Sequence, residues 1–412
     1  MPNKQLFIRK HFMIHINAFN DHDEYVENEN KKPNVSTCKE ERHIHYSKKS
    51  KIIILTFTAE IGNSTIKLNR VGTSTSLQNA VLEYSINDGE TWNDYSIGST
   101  ITLSNSGDSV SLRGTNTTLG FDYSNYHQFV MTGKIKAEGD VTSLLNEVGG
   151  DCELQNFAFI NLFKQCQSLT MAPELPATDL SGCSYCYQSM FERCTSLTTG
   201  PSILPATTLS DCCYYGMFSG CTSLKEGPYL SATDLKSESY RYMFAGCNSM
   251  TRIPDFTVNK LQGHHCLHAM FYNCSNLKDA KVTLNPIRLV PNCYHEMFRN
   301  CSSLENGPSV LPATALDDYC YRYMFSGCTS LEIAPDILVI NLSGTLPLSY
   351  MFIGCSRLRH IKAMFTTTPS STYTPSWTQG VSPTGVFIKN SSATWDVTGY
   401  NGIPTGWSVE YA

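Results

Sequence analysis

A phenylalanine, a cysteine and a leucine recur in the order Phe-x-x-Cys-x-x-Leu at an almost constant interval, and no other feature constrains the fold of this chain as tightly. The anchor phenylalanines are Phe163, Phe191, Phe218, Phe244, Phe271, Phe298, Phe325 and Phe352, spaced 28, 27, 26, 27, 27, 27 and 27 residues apart. Cysteine follows each at the third position, from Cys166 to Cys355, and leucine at the sixth, with Met250 in that slot of the fourth copy. From Met190 on, methionine stands directly before the anchor, and a second segment, Leu-Pro-Ala-Thr, appears at 175–178, 204–207 and 311–314. A unit of this length cannot bury its own apolar face, so neighbouring units must stack and share one continuous core. The expectation is a repeat solenoid of eight coils, mixing short strand and short helix, with Phe, Cys, Met and Leu inside. Apolar residues at i, i+3 and i+6 suit a short helical or 3₁₀ turn on one side of each coil, and the Pro-containing half suits an extended side. Strand-paired coils lie about 4.8 Å apart, so eight of them span on the order of 40 Å.

The chain is 412 residues long, more than one core usually serves, so units beyond the solenoid are expected. Residues 1–50 are rich in charges and amides and read as a mobile polar extension. From 51 to 138 the texture changes to short β-type runs: Ile52–Phe57, Thr65–Leu68, Ala80–Ile86, Ser99–Leu103, Ser109–Arg113 and Tyr126–Met131. Asn87-Asp88-Gly89 between two of them is a hairpin turn, because Asn, Asp and Gly tolerate positive φ. This segment reads as an all-β, sandwich-like domain. The solenoid with its N-terminal cap takes 139–365, Asp140 being placed to cap a short helix at its entry, and a β-type cap with strands near Val386–Lys389 and Trp407–Tyr411 takes 366–412.

The string Met-Phe-Ser-Gly-Cys-Thr-Ser-Leu, present at Met217–Leu224 and again at Met324–Leu331, resembles the BspA-like branch of the leucine-rich repeats found in bacterial surface proteins. The resemblance covers about residues 155 to 365, and the flanks Tyr126–Ile135 and Ile403–Trp407 are similar to segments that accompany this repeat type. It implies a surface-exposed binding or adhesion protein with no catalytic residues to carry over. The copies depart most from the pattern at Asp255–Lys260 and Lys281–Val290, where distorted coils are expected.

Function classes narrow further on charge and chemistry. A net charge of −5 with only 16% charged residues gives no footprint for nucleic acid, and no run approaches the roughly 18 apolar residues of a membrane-spanning helix. The N-terminal run is broken by Lys10, His11, His15 and Asn17 and makes a poor signal-peptide core, while Val35–Cys38 lacks the hydrophobic run of a lipoprotein signal. Leu-Pro-Ala-Thr is followed by Asp179, Thr208 or Ala315 rather than Gly, which makes it a repeat feature and not a sorting signal. The seventeen cysteines are largely periodic, with a second column at Cys186, Cys213, Cys266, Cys293 and Cys320, and read as small buried hydrophobes. Cys183-Ser184-Tyr185-Cys186 is a lone Cys-x-x-Cys without a partner pair. His264, His265, Cys266 and His268 are the most tempting metal cluster, but four donors on one short turn cannot all face one point; Asp21–Glu24 reads as solvated tail. Trp92 and Tyr95 suit either a sugar platform or sheet packing, and packing is favoured. No nucleophile elbow, zinc-protease helix or phosphate loop is present. The expectation is therefore a protein without catalytic, cofactor or metal residues. It would contact host or cell-surface proteins or glycans outside the cell, with a structural virion component such as a phage tail or head fibre as the alternative.

Overall fold

The computed structural model describes residues 54–412, which lie within one compact unit; the expected extension and the Asp21–Glu24 cluster lie outside the described residues. Its N-terminal part is a two-layer β structure. One sheet holds β1 (Leu55–Ala59), β3 (Leu82–Ser85), β4 (Asn93–Tyr95), β6 (Ser109–Gly114) and β9 (Ile135–Glu138). The other holds β2 (Ser64–Val71), β5 (Thr100–Leu103), β7 (Gly120–Asp122) and β8 (Asn125–Thr132). Alternate residues of β1, β2 and β6 are buried, as a half-covered strand requires, and Phe57 meets Phe129 edge-on at 5.0 Å between the sheets. The turn expected at Asn87–Gly89 joins β3 to β4, with φ of 56° at Asp88 and 86° at Gly89.

The sandwich does not merely precede the solenoid; it supplies the surface on which the first coil stacks. β9 pairs in parallel with β10 (Leu169–Met171) of the first coil, and the Phe129 N–H of β8 donates to the Leu162 carbonyl at 2.8 Å. The Phe129 ring stacks on Phe163 with centroids 5.1 Å apart. The sandwich is thus the N-terminal cap, and the expected role of Asp140 is different. The one described helix, α1 (Ser143–Asn146), has Thr142 at its N-cap with no side-chain cap bond, while the Asp140 carboxylate accepts from the Thr142 N–H and hydroxyl at 2.8 and 2.7 Å.

From Phe163 to Phe352 the anchor rings form one stack with centroids 5.4 to 5.7 Å apart, and all eight are fully buried. Along the middle coils the extended side pairs in two-residue parallel strands and single bridges, such as β11 (Ile203–Leu204) with β12 (Tyr229–Leu230), β13 (Asp234–Leu235) with β14 (Lys260–Leu261), and β15 (Val310–Leu311) with β16 (Asp336–Ile337). Of the two forms expected on the opposite side, a short helix or a 3₁₀ turn, the coils take the second, as a run of single i→i−3 turns. Every fourth residue there takes a left-handed φ, as in Tyr185, Ser189 and Arg193 at 62°, 51° and 59°. This resets the backbone so that alternate N–H groups turn to the next coil. Tyr187, Ser189, Phe191 and Arg193 donate to the carbonyls of Cys213, Tyr215, Met217 and Ser219 at 2.7 to 3.0 Å. The intervening N–H groups of Gln188, Met190, Glu192 and Cys194 close i→i−3 turns at 3.1 to 3.3 Å. Every backbone donor of the segment is satisfied, which a buried repeat needs, at a cost of roughly 1 kcal/mol for each non-glycine residue held left-handed. Gly220 and Gly327, the glycines of the two Met-Phe-Ser-Gly-Cys strings, occupy such positions with φ of 75° and 74°.

The cysteine column has a specific partner. Each of Cys194, Cys221, Cys247, Cys274, Cys301, Cys328 and Cys355 donates its thiol hydrogen to the anchor Phe carbonyl of the preceding coil at 3.0 to 3.2 Å. Cys166 donates in the same way to Phe129 of the sandwich at 3.0 Å. All described cysteines are free.

At the C-terminal end β16 pairs with β17 (His360–Ala363), then β18 (Val386–Lys389) and the exposed edge strand β19 (Ser408–Tyr411), all parallel. Trp377 covers the last ring of the stack, 6.1 Å from Phe352, and its indole N–H donates to the Gly402 carbonyl at 3.0 Å. Among the described residues no helix is long and apolar enough to cross a membrane.

Candidate functional site

The run of left-handed turns fixes which side chains point outward. Counting from the anchor Phe, positions −6, −3, −2 and +1 project from this side, and coil after coil they build parallel columns. The −3 column reads Gln188, Tyr215, Arg241, His268, His295, Arg322, Ser349; the −2 column reads Ser189, Gly216, Tyr242, Ala269, Glu296, Tyr323, Tyr350. Together they place planar groups one above another in the order Tyr215, Tyr242, His268, His295, Tyr323, Tyr350. Successive centroids are 6.0, 5.4, 4.5, 6.3 and 4.7 Å apart.

Guanidinium groups lie across this band. Arg241 sits over Tyr215 and Tyr242 at 5.6 and 5.2 Å, and Arg299 over Tyr323 at 4.6 Å. Each has its own carboxylate: Arg241 pairs with Glu238 at 3.0 Å and Arg299 with Glu296. Arg322 differs. It lies over Tyr319, Tyr323 and Tyr350 at 5.3, 5.1 and 5.9 Å and has no carboxylate partner among the described residues; the Nε atoms of all three arginines are buried without a bond.

Burial sets the protonation of the band. It lowers the pKa of His268 below the ordinary value and that of His295 to about 3, neighbouring cationic groups adding to the shift of His295. Burial alone raises Glu296, but the His268 imidazole 3.8 Å away and the hydrogen bond from Arg299 outweigh it and hold the carboxyl at about 2. At neutral pH the face thus carries neutral imidazoles, phenol hydroxyls and one uncompensated guanidinium.

The four residues singled out as a metal cluster separate, as expected. Cys266 points inward, its thiol bonded to the Gly263 carbonyl at 2.7 Å. His268 joins the band, and His264 and His265 meet at a coil corner with their Nδ1 atoms 2.9 Å apart. Cys183 and Cys186 are core residues, and burial first, then the neighbouring Cys183 and Cys213, push the Cys186 thiol far above its usual range. No sugar platform forms at Trp92 and Tyr95. Tyr95 is buried with its hydroxyl donating to the Ser99 carbonyl at 2.6 Å, and the Arg113 guanidinium lies over the Trp92 ring at 4.1 Å.

A groove of about 880 Å³ opens on another side, where the sequence departs from its pattern after Lys281. Glu305, Ile333 and Arg357 are among its walls, and Ile333 is 62% exposed. Arg357 and Arg359 both pair with Glu332 there, so much of the groove's charge is internally compensated. The outer band escaped the sequence reading because that reading followed the columns that repeat. The signal was the phase of the repeat itself, which puts Tyr, His and Arg at two fixed offsets from each anchor.

No family model and no curated protein matches the chain. Among solved structures, a leucine-rich repeat protein from Bacteroides ovatus is similar at 15% identity, over 68% of this chain and 96% of the other, with a TM-score of 0.23. A leucine-rich repeat protein from Eubacterium ventriosum is similar at 12% identity, over 66% and 94%, with a TM-score of 0.24. The solenoid assignment rests on this chain's own hydrogen-bonded coils.

Proposed function

We propose that this solenoid of leucine-rich-repeat type, built on a β-sandwich, is a non-enzymatic binding protein that works at a cell surface or outside the cell and contacts protein or glycan partners through its turn side. The observation that carries the reading is Arg322: a half-buried cation laid across three tyrosine rings, with no acid among the described residues to pair with it. Burying a guanidinium without a partner is costly, and an acceptor brought by a ligand offsets that cost. Because the ring faces of the band are largely spent on one another, a partner meets ring edges, hydroxyls and N–H groups rather than a flat stacking platform. The backbone bonds between coils hold these groups in place before any partner arrives, which lowers the entropic cost of many weak contacts.

The test is a glycan and cell-surface-protein array probed with the full chain and with Arg322→Gln. The reading expects wild-type binding that weakens by about ten-fold or more in the variant, as for a charge that loses its buried partner. Equal binding by both proteins would remove the turn side from recognition. Silence from the wild type would overturn the binding reading and favour a role in assembly, as in a virion.

A further inference from the structure

Two clusters on the turn side each bring three metal-ligating side chains together with donor atoms within 4.8 Å: Glu238 with His264 and His265, and His268 with His295 and Glu296. Ring geometry separates them. An imidazole nitrogen donates along the plane of its ring, so two histidines share an ion only where their planes converge on it. His268 and His295 are stacked, with centroids 4.5 Å apart and planes only 23° apart, so their lone pairs run side by side. Each carboxylate has an arginine beside it, Glu296 with Arg299 and Glu238 with Arg241, so ring geometry alone decides between the clusters. The His268 cluster is part of the aromatic band.

The His264 and His265 rings stand at 88° to each other, and their Nδ1 atoms approach to 2.9 Å. Two nitrogens bound at about 2.1 Å to one ion lie roughly 2.9 to 3.4 Å apart when they subtend roughly 90° to 109°. Neighbouring residues of an extended strand would point to opposite sides; the left-handed turn at His265, φ 56°, accompanies a corner at which both rings meet. Glu238 occupies the same column one coil earlier, and its N–H donates to the His264 carbonyl at 3.0 Å, so the backbone ladder fixes the carboxylate beside the pair. His264 is exposed and the other two are half-exposed, which leaves an entry path from solvent.

We propose that Glu238, His264 and His265 form an open site for a borderline transition-metal dication such as zinc, with the two Nδ1 atoms and one carboxylate oxygen as ligands and water completing the shell. Two imidazoles and one carboxylate select this class over magnesium or calcium, which take all-oxygen shells. Without an ion, one Nδ1 carries the hydrogen that it donates to the other. Binding moves that hydrogen to Nε2 of the same ring, which frees both Nδ1 lone pairs for the ion.

The experiment is calorimetric titration of the metal-stripped full chain with zinc, and with magnesium as control, comparing wild type with His264→Ala, His265→Asn, Glu238→Gln and His295→Asn. Asparagine tolerates the left-handed φ at 265, so that variant removes the ligand while keeping the turn. Residues 1–50 carry five further histidines, His11, His15, His22, His43 and His45, so the readout is the difference from wild type and not the absolute stoichiometry. The expected result is loss of one zinc equivalent, or at least about ten-fold weaker binding of it, in His264→Ala and His265→Asn, with a smaller loss in Glu238→Gln and none in His295→Asn. A wild type that binds no zinc, corner variants that bind as wild type does, or loss confined to His295→Asn would overturn the assignment.

Discussion

Phe271 and Tyr272 are neighbours in sequence and opposites in role. Phe271 is fully buried in the stack, 5.6 Å from Phe244 and 5.7 Å from Phe298, and the same residue fills that position in every coil. Tyr272 is half-exposed on the turn side, where the equivalent positions in neighbouring coils are Ala245 and Arg299. The inner columns hardly vary because each ring must fit between two copies of itself. The outer columns face solvent on one side and are free to differ, so chemistry that is particular to one coil collects there. If that division is right, Phe271→Ala costs about 3 to 5 kcal/mol in denaturant unfolding, the range for removing a buried aromatic ring, while Tyr272→Ala costs roughly 1 kcal/mol or less. Similar losses for the two variants would break the comparison.

The outer band also differs from the core in answering to pH. Burial keeps the His295 imidazole neutral down to about 3, whereas in the unfolded chain it takes up a proton near 6.5. Below about 6.5 the unfolded state therefore gains a proton that the fold refuses, and stability falls as the pH drops toward 3. The groups around it act together: His268 and His265 are lowered in the same direction by burial, Arg322 opposes protonation, and the Glu296 carboxylate favours it. Between pH 7 and pH 5 Glu296, held at about 2, stays ionised in the fold, so the histidines dominate that window. His295 alone should contribute a loss of roughly 1 to 2 kcal/mol to thermal unfolding over those two pH units, and His295→Asn should remove that share of the slope. An unchanged slope in the variant would remove His295 from the account.

The same division explains what the sequence made legible. The anchor Phe column, the inward Cys, Met and Leu, the hairpin at Asn87–Gly89 and six of the sandwich strands were readable, because period, alternation and turn residues are local or repeated signals. β4, β7 and β9 were not: β4 and β7 are three residues long with little alternation, and β9 alternates over only four residues. A short helical or 3₁₀ turn on the turn side was expected from i, i+3, i+6 spacing. A run of i→i−3 turns with a left-handed residue every fourth position gives the same apolar spacing, and only the bonds to the next coil separate the two. Asp140 was placed at a helix N-cap because it precedes an apolar run, but the cap of this solenoid is a sheet edge and not a helix. The corner at His264 and His265 was visible as a histidine cluster, yet which rings converge depends on backbone φ, which composition does not carry.

The finest division lies inside the core, between cysteine as a small hydrophobe and cysteine as a hydrogen-bond donor. The Phe271 carbonyl accepts two bonds, from the Cys274 N–H at 3.2 Å within its own coil and from the Cys301 thiol at 3.1 Å in the next. A carbonyl has two lone pairs, and both are used here among residues that are fully buried. If the thiol is only a filler, Cys301→Ala should be tolerated better than Cys301→Ser, since serine buries a more polar group in the same space. If the donor matters, the order reverses. Serine can still donate to the Phe271 carbonyl, whereas alanine leaves one lone pair unpaired and a small cavity beside it. We expect serine to be the milder substitution by about 1 kcal/mol in equilibrium unfolding, with the same sign at Cys274 and Cys328. The opposite order at all three sites would return the column to simple packing. The expected order would explain why methionine, serine and proline interrupt other inner columns while this one is cysteine in every coil.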